Sequence, residues 1–275
     1  MIKIEILNGD KTIKHGKNDY EEHTQPMEAQ GVSMTFLATQ DLEYVDGDFI
    51  RITTDKPNAH LVVKLDETLN STLVYLTGTT WEYVIPLSEG ARPSISDLAF
   101  KGKSHYISAR YAEDYEINQT RNLAFNPHDQ KQVSGAYPHA IANIETRNDS
   151  TFFAKNAIDG VYANNSHGSY PYQSWGINRD PNAQLTIEFG RKVSVNSIGL
   201  VFRADFPHDS FWTNVSIEFS CGIVHKFDTI KAVEIQKFKF DEIETEYVIF
   251  KNLIKADDES PFPALSQIEV YGREV

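Results

Sequence analysis

Covalent cross-links cannot stabilise this chain from within, because its 275 residues include a single cysteine, Cys221, and a disulfide needs two. No run approaches about 18 apolar residues, so no transmembrane helix is predicted. The segment Met1–Leu7 is too short and too charged for the apolar core of a signal peptide. The absence of a predicted transmembrane helix and signal peptide predicts a soluble cytoplasmic protein, or a secreted or cell-surface one if a leader has been removed.

Positive charge is also scarce, since 26 Lys and Arg stand against 39 Asp and Glu, a formal net charge of −13. Nucleic acids and anionic membranes are bound mainly through Lys and Arg. The composition therefore disfavours nucleic acid, anionic membranes and heparin-like polyanions as partners, although a local basic pocket is compatible with it. A Gly-rich phosphate loop, a Gly-x-Ser-x-Gly elbow and a His-x-x-x-His zinc spacing are all absent.

What the first half does contain is strand periodicity. Ile2, Ile4 and Ile6 alternate with charged residues, as in a half-buried strand, and Asn8-Gly9-Asp10 predicts a tight turn. Similar runs follow with turn residues between them, giving about eight short strands and no helical period. The predicted fold is an all-β sandwich or jelly roll. The further predicted strands are Val32–Thr39, Phe49–Thr53, Leu61–Leu65, Leu73–Leu76, Trp81–Ile85 and His105–Tyr111.

The second half alternates more regularly. Leu185–Phe189, Ile198–Phe202 and Val215–Phe219 each place apolar residues at every second position, and Gly190-Arg191-Lys192 predicts a turn between the first two. Composition shifts around residues 112–126, which predicts a domain boundary there. The chain is therefore expected to form two all-β sandwich domains, residues 1–118 and 119–275.

Six stretches of the second half, taken in order, resemble a known domain. They are Ala154–Gly160, Trp175, Leu185–Gly190, Ile198–Arg203, Val215–Gly222 and Ile268–Gly272. On these stretches, residues 120–275 resemble the coagulation-factor type-C, or discoidin-like, domain, and within that group the bacterial family 32 carbohydrate-binding modules. The resemblance implies a galactose-binding-like jelly roll. Cys221 departs from the family, as do the long loops around residues 163–174 and 207–212.

The resemblance also implies a structural Ca²⁺ that joins a long loop to the closing strand. Asp159 and Glu269 match the family's carboxylate ligands, and Asn164 is expected to add an oxygen. Backbone carbonyls near Asn156 and Ala264 would complete the six to eight oxygens that Ca²⁺ takes. The alternative is that Asp159 only forms a turn and that Glu269 is an exposed strand residue.

The same resemblance implies a sugar site on loops at one end of the sandwich, where such folds carry function. Arg203 matches the family's sugar-binding arginine and would donate to vicinal hydroxyls, unless it is an ion-pair partner of Asp205 or Asp209. Trp212 either closes this site or belongs to the core, and Trp175 is expected in the core. The remaining candidates on the two long loops are Asp205, His208, Asp209, His167, Tyr170 and Tyr172.

Three functions stay open at this point. The preferred one is non-catalytic binding of a glycan or oligosaccharide, weak at a single site and strengthened by avidity if the chain forms homo-oligomers. The second is a carbohydrate-active enzyme, a glycoside hydrolase or lyase, or its accessory subunit, with the chemistry in the N-terminal domain. The third is a protein-binding adhesion or scaffold module.

Overall fold

A computed structural model describes all residues, 1–275, and they form two compact units. The first comprises Met1–Glu113 with Gln132–Ala136, and the second comprises Asp114–Lys131 with Tyr137–Val275. The second unit thus begins at Asp114 rather than at the expected residue 119, and a short segment returns to the first unit after the chain has left it. No helix is both long and apolar enough to span a membrane.

The first unit is built from short antiparallel strands in two main sheets. The strands are β1 (Ile2–Leu7), β2 (His15–Gly16), β3 (Gln25–Pro26), β4 (Glu28–Gly31), β5 (Met34–Thr39), β6 (Phe49–Thr54), β7 (Ala59–Lys64), β8 (Thr72–Leu76), β9 (Thr80–Val84) and β10 (His105–Tyr111), with β12 (Ala136–Tyr137) at the returning segment and a 3₁₀ turn at Arg92–Ser94. One sheet has the order β4-β1-β6-β9, another β12-β8-β7-β10-β5, and β2 pairs with β3.

The core of the first unit follows the alternation seen in the sequence. Ile2, Ile4 and Ile6 on β1 are fully buried, as are Leu61 and Val63 on β7. Because successive side chains of a strand point to opposite faces, each strand contributes one apolar face to this core. The alternation of apolar residues therefore identified the buried face of these strands from sequence.

The second unit contains fewer but longer strands. Its elements are α1 (Asp114–Asn118), β11 (Arg121–Asn122), β13 (His139–Ala142), 3₁₀ turns at Thr146–Asn148, Ser150–Phe152 and Ala154–Ile158, then β14 (Trp175–Gly176), β15 (Leu185–Phe202), β16 (Trp212–Phe219), β17 (Val224–Asp228), β18 (Gln236–Lys255) and β19 (Ala264–Glu274). The main sheet has the order β11-β19-β15-β18-β16-β17, and β13 and β14 pair with β15 and β19. The all-β prediction is confirmed.

The predicted turn at Gly190-Arg191-Lys192 is wrong, because β15 runs through it without reversing. The pairing of β15 with β18 shifts register between Glu188 and Val193, and Gly190 has a φ of +69°. A positive φ with extra residues on one strand is a β-bulge, which bends a strand rather than ending it. The neighbouring β18 has 20 residues against 18 in β15, so pairing continues on both sides of the bulge.

Two tryptophans form the centre of the second unit's core. Trp175 and Trp212 are both fully buried. Trp212 makes edge-on contacts with Phe202 and Phe250, at 5.1 and 5.6 Å between ring centroids, the arrangement that aromatic pairs prefer. The expectation that Trp175 is a core residue is confirmed.

Candidate functional site

Three loops of the second unit meet beside the ends of β15 and β19. The backbone N–H of Arg203 donates to the Ala264 carbonyl at 3.0 Å, and the N–H of Ala204 donates to the Asn164 carbonyl at 2.7 Å. The Ser260 hydroxyl donates to the His208 carbonyl at 2.9 Å. These bonds fix the loop after β15 to the two other loops, so side chains far apart in sequence are held in one region.

A cavity of about 430 Å³ opens between these loops. Its size lies in the range of small-molecule sites, about 300–1,000 Å³. Two aromatic rings and several N–H donors share its lining, and no Asp or Glu does. The lining residues with functional side chains are Thr146, Arg147, Phe152, His167, Asn178, Arg179, Arg203, His208 and Phe262.

Arg203 lines the cavity, but its guanidinium mainly contacts other groups of the protein. Its Nη2 donates to the Phe262 carbonyl at 2.8 Å, and its Nε lies 3.0 Å from Asp205 Oδ1. Only 5% of the residue is exposed. The ion pair with Asp205 that the sequence left as an alternative therefore forms, and Arg203 holds the Phe262 loop in place while presenting little surface to a ligand.

Asp205 links two of the candidate binding residues. Its Oδ2 contacts His167 Nδ1, and its Oδ1 faces Arg203. The His167 side chain is half exposed and lines the cavity, and exposed His208 lines it too. The structure thus brings Arg203, His167 and His208 to one cavity, with Asp205 behind them as the carboxylate that orients His167 and Arg203.

Asp209 is buried beside this group, and neither of its carboxylate oxygens has a hydrogen-bond partner. Burial, with a smaller contribution from the neighbouring Asp205 charge, raises the pKa of Asp209 to about 6. Asp209 does not line the cavity, so its role as a direct sugar ligand is not supported by its position.

Trp212 is wrong as a sugar-stacking residue, because its ring is sealed in the core between Phe202 and Phe250. Tyr170 is 43% exposed and Tyr172 is partly buried, but neither lines the cavity. The long loop that carries them contributes His167 alone to the lining. Burial of an aromatic ring depends on the strands that pack over it, which a loop sequence does not reveal.

The expected calcium ligands are bound by protein donors instead. Asp159 Oδ1 accepts from the Gln267 side-chain amide at 2.7 Å and from the N–H of Val161 at 2.8 Å. Asp159 Oδ2 accepts from the Gln173 amide at 2.7 Å. Gln267 Nε2 also donates to the Asn156 carbonyl at 2.7 Å. An amide nitrogen therefore lies between two of the oxygens that were expected to bind the ion.

The other two expected ligands differ from Asp159, because the bonds of Asn164 come from its amide nitrogen and Glu269 Oε2 is buried without a hydrogen-bond partner. The Asn164 amide nitrogen donates to the carbonyls of Phe202 and Val233, each at 2.8 Å, and the Tyr162 hydroxyl donates to Glu269. Glu269 is 6% exposed, so it is not the exposed strand residue of the alternative interpretation. No group of three or more His, Cys, Asp or Glu side chains is placed to hold a metal. The amide donor on Asp159 Oδ1 and on the Asn156 carbonyl does not fit a calcium ion bound to these two oxygens.

Sequence reasoning missed six of the nine functional lining residues, and three of them, Phe262, Arg179 and Arg147, matter most here. Phe262 is 47% exposed, and the Arg179 guanidinium lies 4.4 Å from the centroid of its ring. Arg147 lies over the ring of Phe152, at 5.4 Å. The one available signal was the run Pro261-Phe262-Pro263, an aromatic residue between two prolines just before the closing strand.

No protein-family model and no curated protein matches the chain. Among solved structures, it is similar to the family 32 carbohydrate-binding module of Clostridium perfringens NanJ in complex with galactose: 18% identity, TM-score 0.37, covering 48% of this chain and 91% of that one. It is also similar to a chitosan-binding module from a chitosanase/glucanase of Paenibacillus sp. IK-5, at 19% identity and TM-score 0.39, covering 55% and 99%. A third similar structure is that of the Streptococcus pneumoniae β-galactosidase BgaA, at 19% identity and TM-score 0.43, covering 56% and 100%.

Proposed function

We propose that the second unit binds a glycan in the cavity beside Phe262 without transforming it. The observation that carries the proposal is a half-exposed aromatic ring set among N–H donors in a cavity of sugar size. Sugars are recognised by packing their C–H faces on aromatic rings while polar side chains bind the hydroxyls. Phe262 supplies the ring, and Asn178, His167 and His208 supply polar groups.

The absence of acidic side chains from the lining supports binding rather than hydrolysis. Glycoside hydrolysis uses two carboxylates on either side of the scissile bond, about 5–9.5 Å apart. Asp205 is held by Arg203 and His167, and Asp209 is buried away from the lining. A bound sugar would therefore meet donors but no acid–base pair.

We further propose that this binding does not require Ca²⁺. Asp159 Oδ1 and the Asn156 carbonyl both accept from the Gln267 amide, and Asp159 Oδ2 accepts from the Gln173 amide, so the loop is fixed by hydrogen bonds that need no ion. Chelation should then leave glycan binding unchanged.

A glycan array, repeated with a chelator, tests the proposal. Phe262→Ala removes the ring and should weaken binding by about 10-fold, which corresponds to about 1.4 kcal/mol. Tyr115→Ala is the matched control, since Tyr115 is also an exposed aromatic residue of the second unit but does not line the cavity. Equal loss in both variants, or no glycan bound at all, would refute the proposal. Release of reducing sugar from a polysaccharide panel would favour the enzyme instead.

A further inference from the structure

The cavity carries a charge opposite to that of the protein. Its lining includes Arg147, Arg179 and Arg203 but no Asp or Glu, whereas the whole chain has 39 acidic and 26 basic residues. Low-dielectric walls lined by one sign of charge concentrate the local field. The lining is therefore suited to a ligand with negative charge, even though the protein as a whole repels polyanions.

The three arginines are not equally available. Arg203 is neutralised by Asp205 at 3.0 Å and is buried. Arg147 has its nearest carboxylate, Asp149, at 3.6 Å, and its side chain is 68% exposed, so this pair is loose and solvated. Arg179 is exposed and lies against the Phe262 ring rather than against a carboxylate. Arg147 and Arg179 are thus the two cations able to receive a ligand's charge.

The backbone at both arginines supports a role beyond surface charge. Arg147 has a φ of +54° and Arg179 a φ of +61°, and each adjoins an asparagine that is also left-handed, Asn148 at +52° and Asn178 at +49°. Left-handed backbone is unfavourable for residues other than glycine and tends to cluster at ligand sites. The chain has eight non-glycine residues with positive φ, and these two arginines and two asparagines are four of them. Both arginines therefore lie at the cavity on backbone of an unfavourable local conformation.

We propose that the ligand is an acidic saccharide whose carboxylate is bound by Arg147 and Arg179, an inference that rests on the proposed glycan site. A planar guanidinium pairs with a carboxylate through two parallel N–H···O bonds, which gives geometric selectivity as well as attraction. A uronic acid and a sialic acid share this chemistry. The ring of the same sugar would pack against Phe262, beside Arg179.

The experiment compares oligosaccharides that differ only in charge: an oligogalacturonate, its methyl ester and the corresponding neutral oligogalactoside, together with a sialylated lactose and lactose. Isothermal titration or ligand-observed NMR measures affinity for the full chain. We expect an acid to bind about 10-fold more tightly or better than its neutral counterpart, because hydrogen bonds to charged groups are worth about one tenfold step or more.

Arg147→Gln and Arg179→Gln should each remove most of that preference. Glutamine is no easier to place at positive φ than arginine, so the backbone cost is matched. Arg273→Gln is the control, because Arg273 is an exposed arginine paired with Glu242 that does not line the cavity, and the net charge changes equally. Binding by this control should match that of the unmodified chain.

The outcomes separate the two proposals. If acid and neutral sugars bind equally, or a cationic chito-oligosaccharide or a sulfated sugar binds best, the carboxylate assignment is overturned while glycan binding stands. If none of these sugars nor any on the array binds, the proposed function itself fails. Loss of the acid preference in Arg273→Gln to the same degree would also overturn the assignment, because it would reflect net charge alone.

Discussion

Replacing Gln267 with glutamate tests whether an amide fixes the loop that was expected to hold calcium. Gln267 is 2% exposed. Its Nε2 donates at 2.7 Å to both Asp159 Oδ1 and the Asn156 carbonyl, while its Oε1 accepts from the N–H of Gly160 at 3.0 Å. Gln267→Glu keeps the shape and the bond from Gly160 but turns the central donor into an acceptor.

The expected cost follows from the two bonds that are lost. The Asn156 carbonyl then faces another oxygen, and an unsatisfied buried group costs about 1–3 kcal/mol. Asp159 Oδ1 keeps the bond from the N–H of Val161, so Gln267→Glu should destabilise the second unit by about 1–3 kcal/mol through the lost bonds. Repulsion between the two carboxylates adds to this cost until one of them is protonated, and burial already raises the pKa of Asp159 to about 6. For a domain of this size, each kcal/mol lowers Tm by about 2–4 °C.

Thermal unfolding with Ca²⁺ or with a chelator gives the measurement. The unmodified chain should melt at the same temperature in both. Gln267→Glu should melt lower in chelator and recover in Ca²⁺, because its new carboxylate faces Asp159 and a backbone carbonyl, oxygens of the kind that Ca²⁺ binds. The control is Gln184→Glu, since Gln184 is exposed and an added surface charge should change stability by no more than about 0.5 kcal/mol.

Two results would refute this reasoning. One is a rise in Tm of the unmodified chain on adding Ca²⁺ that a chelator reverses, which would place an ion where the Gln267 amide lies. The other is a Gln267→Glu variant as stable as the unmodified chain in chelator, which would mean that the amide contributes little.

Two further predictions concern buried residues near the site. Trp212→Ala should lower the free energy of unfolding by about 3–5 kcal/mol, the cost of deleting a core aromatic, whereas Trp212→Phe should cost less. A variant that loses glycan binding without losing stability would show instead that Trp212 belongs to the sugar site. Burial raises the pKa of Asp209 to about 6, above its unfolded value of about 3.9, so its stability penalty is full above pH 6 and disappears as pH falls towards 4. Asp209→Asn should therefore stabilise the chain at pH 8 more than at pH 5 in denaturant titrations, and a gain independent of pH would contradict the assigned charge.

Local alternation of apolar residues was sufficient to predict the strands. His105–Tyr111 appears with the predicted bounds, and Ile2, Ile4 and Ile6 lie on one strand as predicted, because the period of two depends only on residues adjacent along the chain. The turn predicted at Gly190 failed for the complementary reason. Gly-Arg-Lys is compatible with a turn or with a bulge, and pairing with β18, some fifty residues away in sequence, decides between them.

The sequence by itself determined the all-β class, the buried faces of the strands and the loop that begins at Arg203, because each of these features depends on residues adjacent along the chain. Tertiary structure alone decided that Trp212 is core, that the Gln267 amide binds Asp159, and that Arg147, Arg179 and Phe262 share one cavity. A side chain's burial, hydrogen-bond partners and electric field depend on segments brought together only by folding, so no local pattern encodes them.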